Sequence, residues 1–392
     1  MNVDSAEQLQ LLSQNASEIV PIEEFERKLD EGRPLRVKLG LDPTAEHVTL
    51  GWAVVLRRLR DFQRLGHVAV LIVGDFTAQI GDPSGRDSTR PMLSKDEVDA
   101  YVERVLKQFD LIVEPFNLEV RRNSEWLESL GTAGLLELAT HHTVARMLER
   151  DDFAKRDAEG AAISVREFLY PLLQGYDSVA VKADVEIGGT DQHFNLMVGR
   201  HIQRAFGQEP QVVMTMPLLE GTDGVRKMSQ SFGNYIGITE APDEIFGKLM
   251  RVPDEVMGKY LRLTTDVPED EIHRMESTLP PQKLKRTLAR EIVKLYHGGE
   301  AAAEAADRFD KVFVSHEVPA DIPEHKVGDG EIFVPHLLVE LGFADSSSDA
   351  RRKIAQGGVR IDDEKLIDET VDAGMLRGKV LRVGKRSFVR LV

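Results

Sequence analysis

The sequence contains no cysteine in its 392 residues. That absence excludes disulfide bonds and thiolate metal sites. The sequence also lacks an apolar run long enough to cross a bilayer, and its first twenty residues lack the basic and apolar blocks of a secretory signal. We therefore expect a cytoplasmic protein without a membrane partner. Internal repeats and low-complexity tracts are absent as well.

Negative charge outweighs positive charge over most of the chain. The formal net charge is -16, which argues against nonspecific coating of nucleic acid. Residues 332–392 differ, because eleven Lys and Arg stand there against nine Asp and Glu, so this tail carries +2 and the remainder -18. The acidic stretch 315–331 is rich in Pro and Gly, which predicts a linker before the tail.

Strand and helix patterns alternate through the first half of the chain. Such alternation predicts an α/β fold with a doubly wound, parallel, Rossmann-like sheet. Residues 243–312 are helical in pattern, with Pro281 at a helix start and Gly298 at its end. The tail pattern is a helix at 348–356 followed by short strands. The first half is predicted to contain strands at 35–41, 67–76, 183–189 and 211–216, and a helix at 50–65.

These patterns predict four segments. The first is a Rossmann-like α/β domain over residues 1–235. A helical domain over 236–314 follows, then the linker 315–331, and finally a small α+β domain over 332–392.

Two loops that follow predicted strands carry polar residues. In the first strand Lys38, Gly40 and Asp42 share one face, and they lead into Asp-Pro-Thr and then Gly51 at a helix start. Gly51 admits a base or phosphate to the backbone, although a glycine there is more often a simple turn. The second loop, GDFTAQIGDPSGRDSTR, is not a Walker loop, and its arginines alone are more often a solvated face. It contains Thr77, Asp82, Arg86 and Arg90.

Three further motifs lie later in the chain. Tyr170, Gln174 and Asp177 are spaced i, i+4 and i+7, which places three polar groups on one helix face. The stretch EIGGTDQ joins a strand to a helix and presents Asp191 and Gln192. The loop DGVRKMSQS carries a lysine and hydroxyls. The adjacent pair His141 and His142 diverges on a helix, so a surface or core role is favoured over metal binding.

In this order the motifs resemble those of the bacterial tyrosyl-tRNA synthetases, a class I family, over essentially the whole chain. The resemblance is carried by Asp-Pro-Thr with a degenerate His-Ile-Gly-His, Tyr-x-x-x-Gln-x-x-Asp, Gly-Gly-Thr-Asp-Gln and a Lys-Met-Ser-Lys-Ser-like loop. It implies that L-tyrosine and ATP, with Mg²⁺, form tyrosyl-adenylate and pyrophosphate, and that tyrosine then passes to the 3' end of tRNA-Tyr. It implies no tightly bound cofactor and no resident metal. It makes the segment 1–235 the catalytic domain, with a connective insertion around 92–165. It also implies a homodimer formed through the insertion around Glu114 to Ala162.

The resemblance also assigns roles. Asp177 is expected at the substrate phenol, Tyr170, Gln174 and Asp82 at its ammonium group, and Gln192 near its carboxylate. The tyrosine-binding set is completed by Lys38, Gly40, Asp42 and Thr77. The expected ATP-binding residues are Gly51, Gly189, Asp191, Leu219 and Lys227. The expected catalytic residues are Thr44, Thr49, Trp52, Lys227, Gln230, Ser231, Arg86 and Arg90. The expected tRNA-binding residues are Arg351, Arg352, Lys353, Lys379, Arg382, Lys385 and Arg386.

Four positions depart from the family pattern. Thr49 and Trp52 replace the two histidines of His-Ile-Gly-His, and Gln230 replaces the second lysine of the loop; each can still donate a hydrogen bond. Lys38 stands where some members place a tyrosine that helps to recognise the phenol of the substrate. Lys38 either contacts that phenol itself or pairs with Asp177 or Asp42. Two other functions remain open from the sequence: a noncatalytic RNA-binding protein, and a paralog that passes tyrosine to another acceptor.

Overall fold

The computed structural model describes residues 3–83, 94–313, 322–362, 364–384 and 387–392. The chain divides into two compact units, Met1–Gly298 and Gly299–Val392. No described helix is long and apolar enough to cross a membrane.

A six-stranded sheet forms the centre of the larger unit. Its strands are β1 (Glu18–Val20), β2 (Arg36–Leu41), β3 (Val68–Val73), β4 (Leu118–Arg122), β5 (Val185–Gly189) and β6 (Val212–Met216). The order is β1-β6-β5-β2-β3-β4, with β1 antiparallel to β6 and all other neighbours parallel. The strands predicted at 35–41, 67–76, 183–189 and 211–216 are thereby confirmed, and so is the doubly wound α/β fold. Strands β3 and β6 are almost wholly buried, as parallel strands covered on both faces must be.

The strand order reverses between β2 and β5. The chain proceeds from β2 to β3 and β4 on one side, and from β5 to β6 on the other. Val37 faces Val185 and Leu39 faces Ile187 across the central pair. A doubly wound sheet opens a crevice at the carboxyl ends of the strands where this reversal occurs. The loops after Leu41 and Gly189 therefore border the place where a ligand is expected.

Helices connect these strands and continue to residue 298. The helices of the larger unit are α1 (Ser5–Ser13), α2 (Ile22–Asp30), α3 (Leu50–Arg64), α4 (Thr77–Ile80), α5 (Lys95–Phe109), α6 (Ser124–Thr140), α7 (Val144–Met147), α8 (Asp151–Ala158), α9 (Val165–Val181), α10 (His193–Ala205), α11 (Pro242–Leu249), α12 (Met257–Thr264), α13 (Glu269–Thr278) and α14 (Pro281–His297).

Capping residues explain where the helices nearest the crevice begin and end. The Thr49 hydroxyl accepts from the Trp52 N–H and caps α3, whereas Ser164 and Glu167 form a reciprocal capping box on α9. Helix α14 begins at Pro281 and is ended by Gly298 at φ 89°, as its sequence predicts. Helices α6, α9 and α10 share an apolar cluster that includes Leu138, Leu173 and Ile202.

The smaller unit begins with α15 (Gly299–Phe313) and continues as an α+β module. The elements of the module are β7 (Glu324–His325), β8 (Glu331–Phe333), α16 (Val334–Glu340), α17 (Ser347–Ala355), β9 (Val359–Ile361), β10 (Glu364–Lys365), β11 (Thr370–Asp372), α18 (Ala373–Leu376), β12 (Val380–Val383) and β13 (Ser387–Leu391). Its five-stranded sheet has the order β10-β9-β12-β13-β7, and β8 pairs with β11. The helix and strands predicted in the tail are confirmed.

The segment boundaries differ from the predicted ones in two respects. The division at Gly298 falls inside the predicted helical domain, so that α15 groups with the tail. The described part of the predicted linker carries β7 and the first residue of β8, because Glu324 pairs with Arg390 in the tail sheet. Strands of the tail module therefore begin before residue 332.

Candidate active site

A cavity of about 290 Å³ lies at the carboxyl ends of β2 and β5. It is bordered by the loop after β2, by α9, and by the loop that precedes residue 232. Most of the site residues predicted from the sequence line this one cavity: Gly40, Asp42, Thr44, Thr49, Gly51, Trp52, Thr77, Asp82, Tyr170, Gln174, Asp177, Gly189, Asp191, Gln192, Leu219, Lys227, Gln230 and Ser231.

Asp42, just beyond the end of β2, is held by two hydroxyl groups. The Tyr170 hydroxyl donates to Asp42 Oδ2 at 2.8 Å, and the Thr77 hydroxyl donates to Oδ1 at 2.7 Å. Gly74 is required beside them, because a Cβ there would lie 2.1 Å from Asp42 Oδ1 and 2.4 Å from Thr77 Oγ1. Burial, followed by the nearby charge of Asp42, raises the pKa of the Tyr170 phenol, so Tyr170 remains a hydrogen-bond donor at neutral pH.

Asp177 is a buried carboxylate at the wall of the cavity. Its side chain is 3% exposed, and it accepts from Trp126 Nε1 at 2.7 Å and from Asn123 Nδ2 at 3.3 Å. Burial raises its pKa to about 6, while Lys38 and the two donors oppose that shift. Asp177 is therefore largely ionised at neutral pH and can accept a further hydrogen bond. Trp126 and Asn123 were not predicted, since nothing in their local sequence marks them.

Lys38 occupies a place that the sequence did not predict. It is fully buried and does not line the cavity. Its Nζ lies 2.8 Å from Glu186 Oε1 and donates to Gln174 O at 2.9 Å and to Ser178 Oγ at 2.8 Å. The expectation that Lys38 helps to read the phenol is thus corrected, and the partner that the structure gives it is Glu186.

A chain of amide groups connects further residues of the cavity wall. Gln192 Nε2 donates to Asp82 Oδ2 at 2.8 Å. Asn195 Nδ2 lies 3.0 Å from Gln174 Oε1 and 3.0 Å from Gln192 Oε1, and Arg150 donates to Asn195 Oδ1 at 3.2 Å. Such a network orients the polar groups before a ligand arrives. Sequence reasoning missed Asn195 and Arg150.

The other end of the cavity is bordered by Asp191 and Lys227, which form an ion pair at 2.6 Å. Gly189 is needed here, because a Cβ would meet Asp191 Oδ1 and Leu218 Cδ2, each at 2.8 Å. Gly51 has more room, since a Cβ there would meet its nearest neighbours, Met228 among them, at 3.5 Å. Among the described residues no group of three or more His, Asp or Glu side chains is arranged to hold a metal ion.

The residues that depart from the family pattern make local structural contacts. Thr49 caps α3, as described above. Gln230 Nε2 donates to His47 O at 2.7 Å, and its Oε1 accepts from His47 N at 3.4 Å. The Trp52 ring lies 6.5 Å from that of Phe109. Gln230 therefore ties two loops that border the cavity, a role that its sequence position did not predict.

Four basic residues among the predicted site residues lie outside the part of the chain that the structure describes: Arg86, Arg90, Lys385 and Arg386.

Four of the other five predicted tRNA-binding residues contact neighbours within the tail. Arg351 pairs with Glu369 at 2.9 Å, and both Arg352 and Lys353 pair with Asp349. Lys379 is half-buried. Arg382 is only 8% exposed, and its guanidinium lies 5.3 Å from the centre of the Phe388 ring. In this arrangement Arg382 is poorly placed to contact a phosphate.

Known proteins resemble this chain along nearly its full length. Residues 30–314 match the family model described as tRNA synthetases class I (W and Y). The tyrosine–tRNA ligase of Moorella thermoacetica is 50% identical over 395 residues, covering 98% of this chain and 96% of that protein. That of Thermotoga maritima is 50% identical over 390 residues, covering 98% and 97%.

Solved structures agree on the fold. The tyrosyl-tRNA synthetase of Archaeoglobus fulgidus, solved with L-tyrosine, superposes with a TM-score of 0.63 at 23% identity, covering 77% of this chain and 100% of that one. At that identity the likeness concerns the fold alone. The family match and the full-length identity together show that this chain belongs to the class I tyrosyl-tRNA synthetases of bacteria.

Proposed function

We propose that this protein is a tyrosine–tRNA ligase that activates L-tyrosine with ATP and then charges tRNA-Tyr. The observation that carries the proposal is the gathering of eighteen predicted site residues around one cavity in a chain half identical to tyrosine–tRNA ligases. The cavity also lies at the reversal of the sheet, where such folds bind ligands.

In the proposed tyrosine site, Asp177 accepts from the substrate phenol. Tyr170, Gln174 and Asp82 bind the ammonium group, and Gln192 lies near the carboxylate. Asp177 suits this role because it is ionised, buried and already held by two donors. A phenylalanine side chain would leave that buried acceptor without its hydrogen bond, which penalises the wrong substrate.

In the proposed ATP site, Asp191 binds the ribose hydroxyls, and Gly51 and Leu219 flank the adenine. Thr44, Lys227 and Ser231 face the triphosphate, with Arg86 and Arg90 closing over the leaving pyrophosphate. The pair between Asp191 and Lys227 must then open when ATP binds, so that each side chain exchanges one partner for the nucleotide. Both side chains are partly exposed, so the exchange costs little.

The chemistry needs positioning and charge rather than a strong base. The tyrosine carboxylate attacks the α-phosphate of ATP, and pyrophosphate leaves. A terminal ribose hydroxyl of the tRNA then attacks the acyl carbon of the adenylate, which releases AMP and the hydroxyl proton. Fixed donors and in-line alignment supply the rate enhancement for such a displacement. Mg²⁺ enters with ATP as part of the substrate.

A homodimer is proposed through the insertion around Glu114 to Ala162. Large apolar side chains of this region are exposed within the single chain: Phe116 is 49% exposed, Leu136 65% and Val144 61%. Exposed apolar groups of this size mark an interaction surface when they are contiguous. A translation enzyme of this kind is also proposed to work in the cytoplasm with tRNA-Tyr as its macromolecular partner.

Two assays test the proposal on the full-length chain. Tyrosine-dependent ATP–pyrophosphate exchange should occur, with phenylalanine as the control substrate, and tRNA-Tyr should become charged. Absence of exchange would favour a noncatalytic RNA-binding protein. Exchange without charging would point to a different acceptor for the tyrosyl group.

A further inference from the structure

A second cavity, of about 370 Å³, lies in the larger unit among the end of α1, the face of α3 that carries its arginines, and the loop from α12 to α13. Helix α3 contributes Arg57, Arg58, Arg60 and Arg64 to its wall. We call it the arginine cavity. Arg58 stands seven residues beyond Gly51, which is about 10 Å along the helix axis, and none of these arginines lines the catalytic cavity.

The carboxylates near Arg57, Arg58 and Arg60 carry too little negative charge to balance the positive charge of these three arginines. Arg57 and Arg60 both pair with Asp266, at 2.6 Å and 2.8 Å. Arg58 lies 3.4 Å from Asp61, which is also 3.6 Å from Arg60. Two carboxylates thus serve three guanidinium groups, and one positive charge is left over. Each of the three arginine residues is only 6% or 7% exposed, so water screens that charge weakly.

Hydrogen-bond acceptors are missing as well. Arg57 Nη1, Arg58 Nε and Arg60 Nε have no hydrogen-bond partner among the described residues, and all three are shielded from solvent. Burial lowers the pKa of Arg58, an effect that Asp61 only partly offsets. A buried donor without an acceptor has lost its hydrogen bonds to water without gaining one in the protein. Other N–H groups of the cluster are engaged, because Arg58 donates to Leu11 O at 3.2 Å and to Gln14 O, and Arg57 Nη2 donates to Thr265 O. The cluster therefore lacks one negative charge, and three of its N–H groups lack an acceptor oxygen.

We propose that the arginine cavity binds a small tetrahedral oxyanion of the phosphate class. One such anion supplies both the missing charge and oxygens that point in several directions, whereas a carboxylate offers only two. Guanidinium groups pair with phosphate through parallel N–H donors, and the cavity volume falls within the range of small-ligand sites. Binding requires the guanidinium groups to turn toward the cavity. The bound anion would then join α1, α3 and the loop from α12 to α13.

Calorimetric titration of the full-length protein with inorganic phosphate, in chloride buffer, tests this proposal. Arg58→Met should weaken phosphate binding about tenfold or more, because it removes one guanidinium group. Asp61→Asn should tighten binding severalfold, because it removes a competing carboxylate that is 37% exposed. Arg274→Met is the matched control, since this arginine is 70% exposed and, among the described residues, pairs only with its helix neighbour Glu271. It should leave the affinity unchanged.

The two variants move the affinity in opposite directions, so a general loss of folding cannot imitate the result. Equal affinities in the parent chain, Arg58→Met and Asp61→Asn would overturn the proposal and place any phosphate in the catalytic cavity. If Arg58→Met does not fold, the tightening in Asp61→Asn still decides the question. A parallel titration with AMP distinguishes the source: weakening of AMP binding by Arg58→Met assigns a nucleotide phosphate, and weakening of inorganic phosphate alone assigns the free anion.

Discussion

Replacing Asp177 by asparagine should alter how stability depends on pH. Burial raises the pKa of Asp177 from 3.8 to about 6, which corresponds to about 3 kcal/mol in favour of the neutral form. A group whose pKa is higher in the folded state contributes stability that is fully present below its unfolded value of 3.8. That contribution diminishes as the pH rises through about 6. Ionised Asp177 is thus a cost that the folded protein bears at neutral pH.

The expected magnitude follows from these two values. Between about pH 5.0 and pH 7.5 the parent chain should become about 1.4 kcal/mol less stable through Asp177 alone. An asparagine at this position has no such titration. The new amide also faces Asn123 Nδ2, and that side chain is fixed by Phe76 N at 3.0 Å, so the variant carries a penalty of about 1–3 kcal/mol that does not depend on pH. Only the change with pH in the stability difference between variant and parent isolates the contribution of the buried charge.

Urea denaturation at both pH values, at one protein concentration, measures the effect. The stability of Asp177→Asn relative to the parent should rise by about 1.4 kcal/mol from about pH 5.0 to pH 7.5. Asp270→Asn, at an exposed site, serves as the control and should show no such rise. A difference between Asp177→Asn and the parent that stays constant with pH would mean that Asp177 does not carry a raised pKa, and the reasoning would fail.

Four other outcomes are expected. Asp177→Ala should abolish discrimination between tyrosine and phenylalanine in pyrophosphate exchange, a preference of about 10⁵-fold that is already established for tyrosyl-tRNA synthetases. Gln230→Lys should raise the activation rate by up to about tenfold, equivalent to about 1.4 kcal/mol, through charge beside pyrophosphate; an unchanged or slower rate would show that its contact with His47 matters more. Lys38→Met should destabilise the protein by about 3–5 kcal/mol, because Glu186 is left buried without a cation. It should also raise KM for tyrosine through Gln174. The double variant Lys38→Met with Glu186→Gln should recover most of the stability, as measured by urea denaturation. Ending the chain after Phe313 should preserve pyrophosphate exchange but weaken tRNA charging. The slope of log K for tRNA binding against log salt should flatten by about 0.7–0.9 for each phosphate that the protein no longer neutralises. Equal slopes and equal charging would show that the tail does not bind tRNA.

The truncation point matters because the tail module forms one core. Val334, Leu337 and Leu338 pack with Val359 and Leu381 in a single apolar cluster. A chain ended before Asp345 would keep the first three of these residues without their partners. A loss of tRNA charging in that shorter chain would then result from its exposed apolar surface rather than from weaker tRNA binding. Ending after Phe313 removes both halves of the cluster together.

The local sequence pattern was enough to predict the elements that are regular and buried. Strands β3 and β6 are short runs that are apolar or nearly so, and β2 and β5 are short segments that one or two charged residues interrupt. Helix α14 carries Pro281 at its start and Gly298 just after its end. Strand β1 has three residues, and β4 is only half-buried with two arginines. Edge strands of that kind show neither a clear alternation nor an apolar run, so their pairing depends on tertiary contacts.

The residues of the catalytic cavity also divide into those that local spacing predicts and those that depend on tertiary contacts. Tyr170, Gln174 and Asp177 belong to one helix, so their spacing alone predicts a shared face. The contacts of Asp177 with Asn123 and Trp126 join residues about fifty positions apart, and such contacts exist only once the sheet has formed.

A signal for the pair Lys38 and Glu186 was nevertheless present in the sequence. Each is a single charge in the middle of a buried strand, of opposite sign, and the two strands are neighbours in which Lys38 faces Glu186 directly. A buried charge calls for a partner. Strand order would therefore have predicted the pair.

The charge lining the catalytic cavity limits what the described residues can do alone. Within the described part of the chain, Lys227 is the only cation in the cavity wall, against the carboxylates of Asp42, Asp82, Asp177, Glu186 and Asp191. Tyrosine adds one ammonium group, whereas ATP adds several negative charges. The positive charge for the triphosphate is accordingly proposed to come from Arg86, from Arg90 and from the Mg²⁺ that accompanies ATP. Because Gln230 is neutral and engaged with His47, a lysine at that position would add charge where the described wall has least.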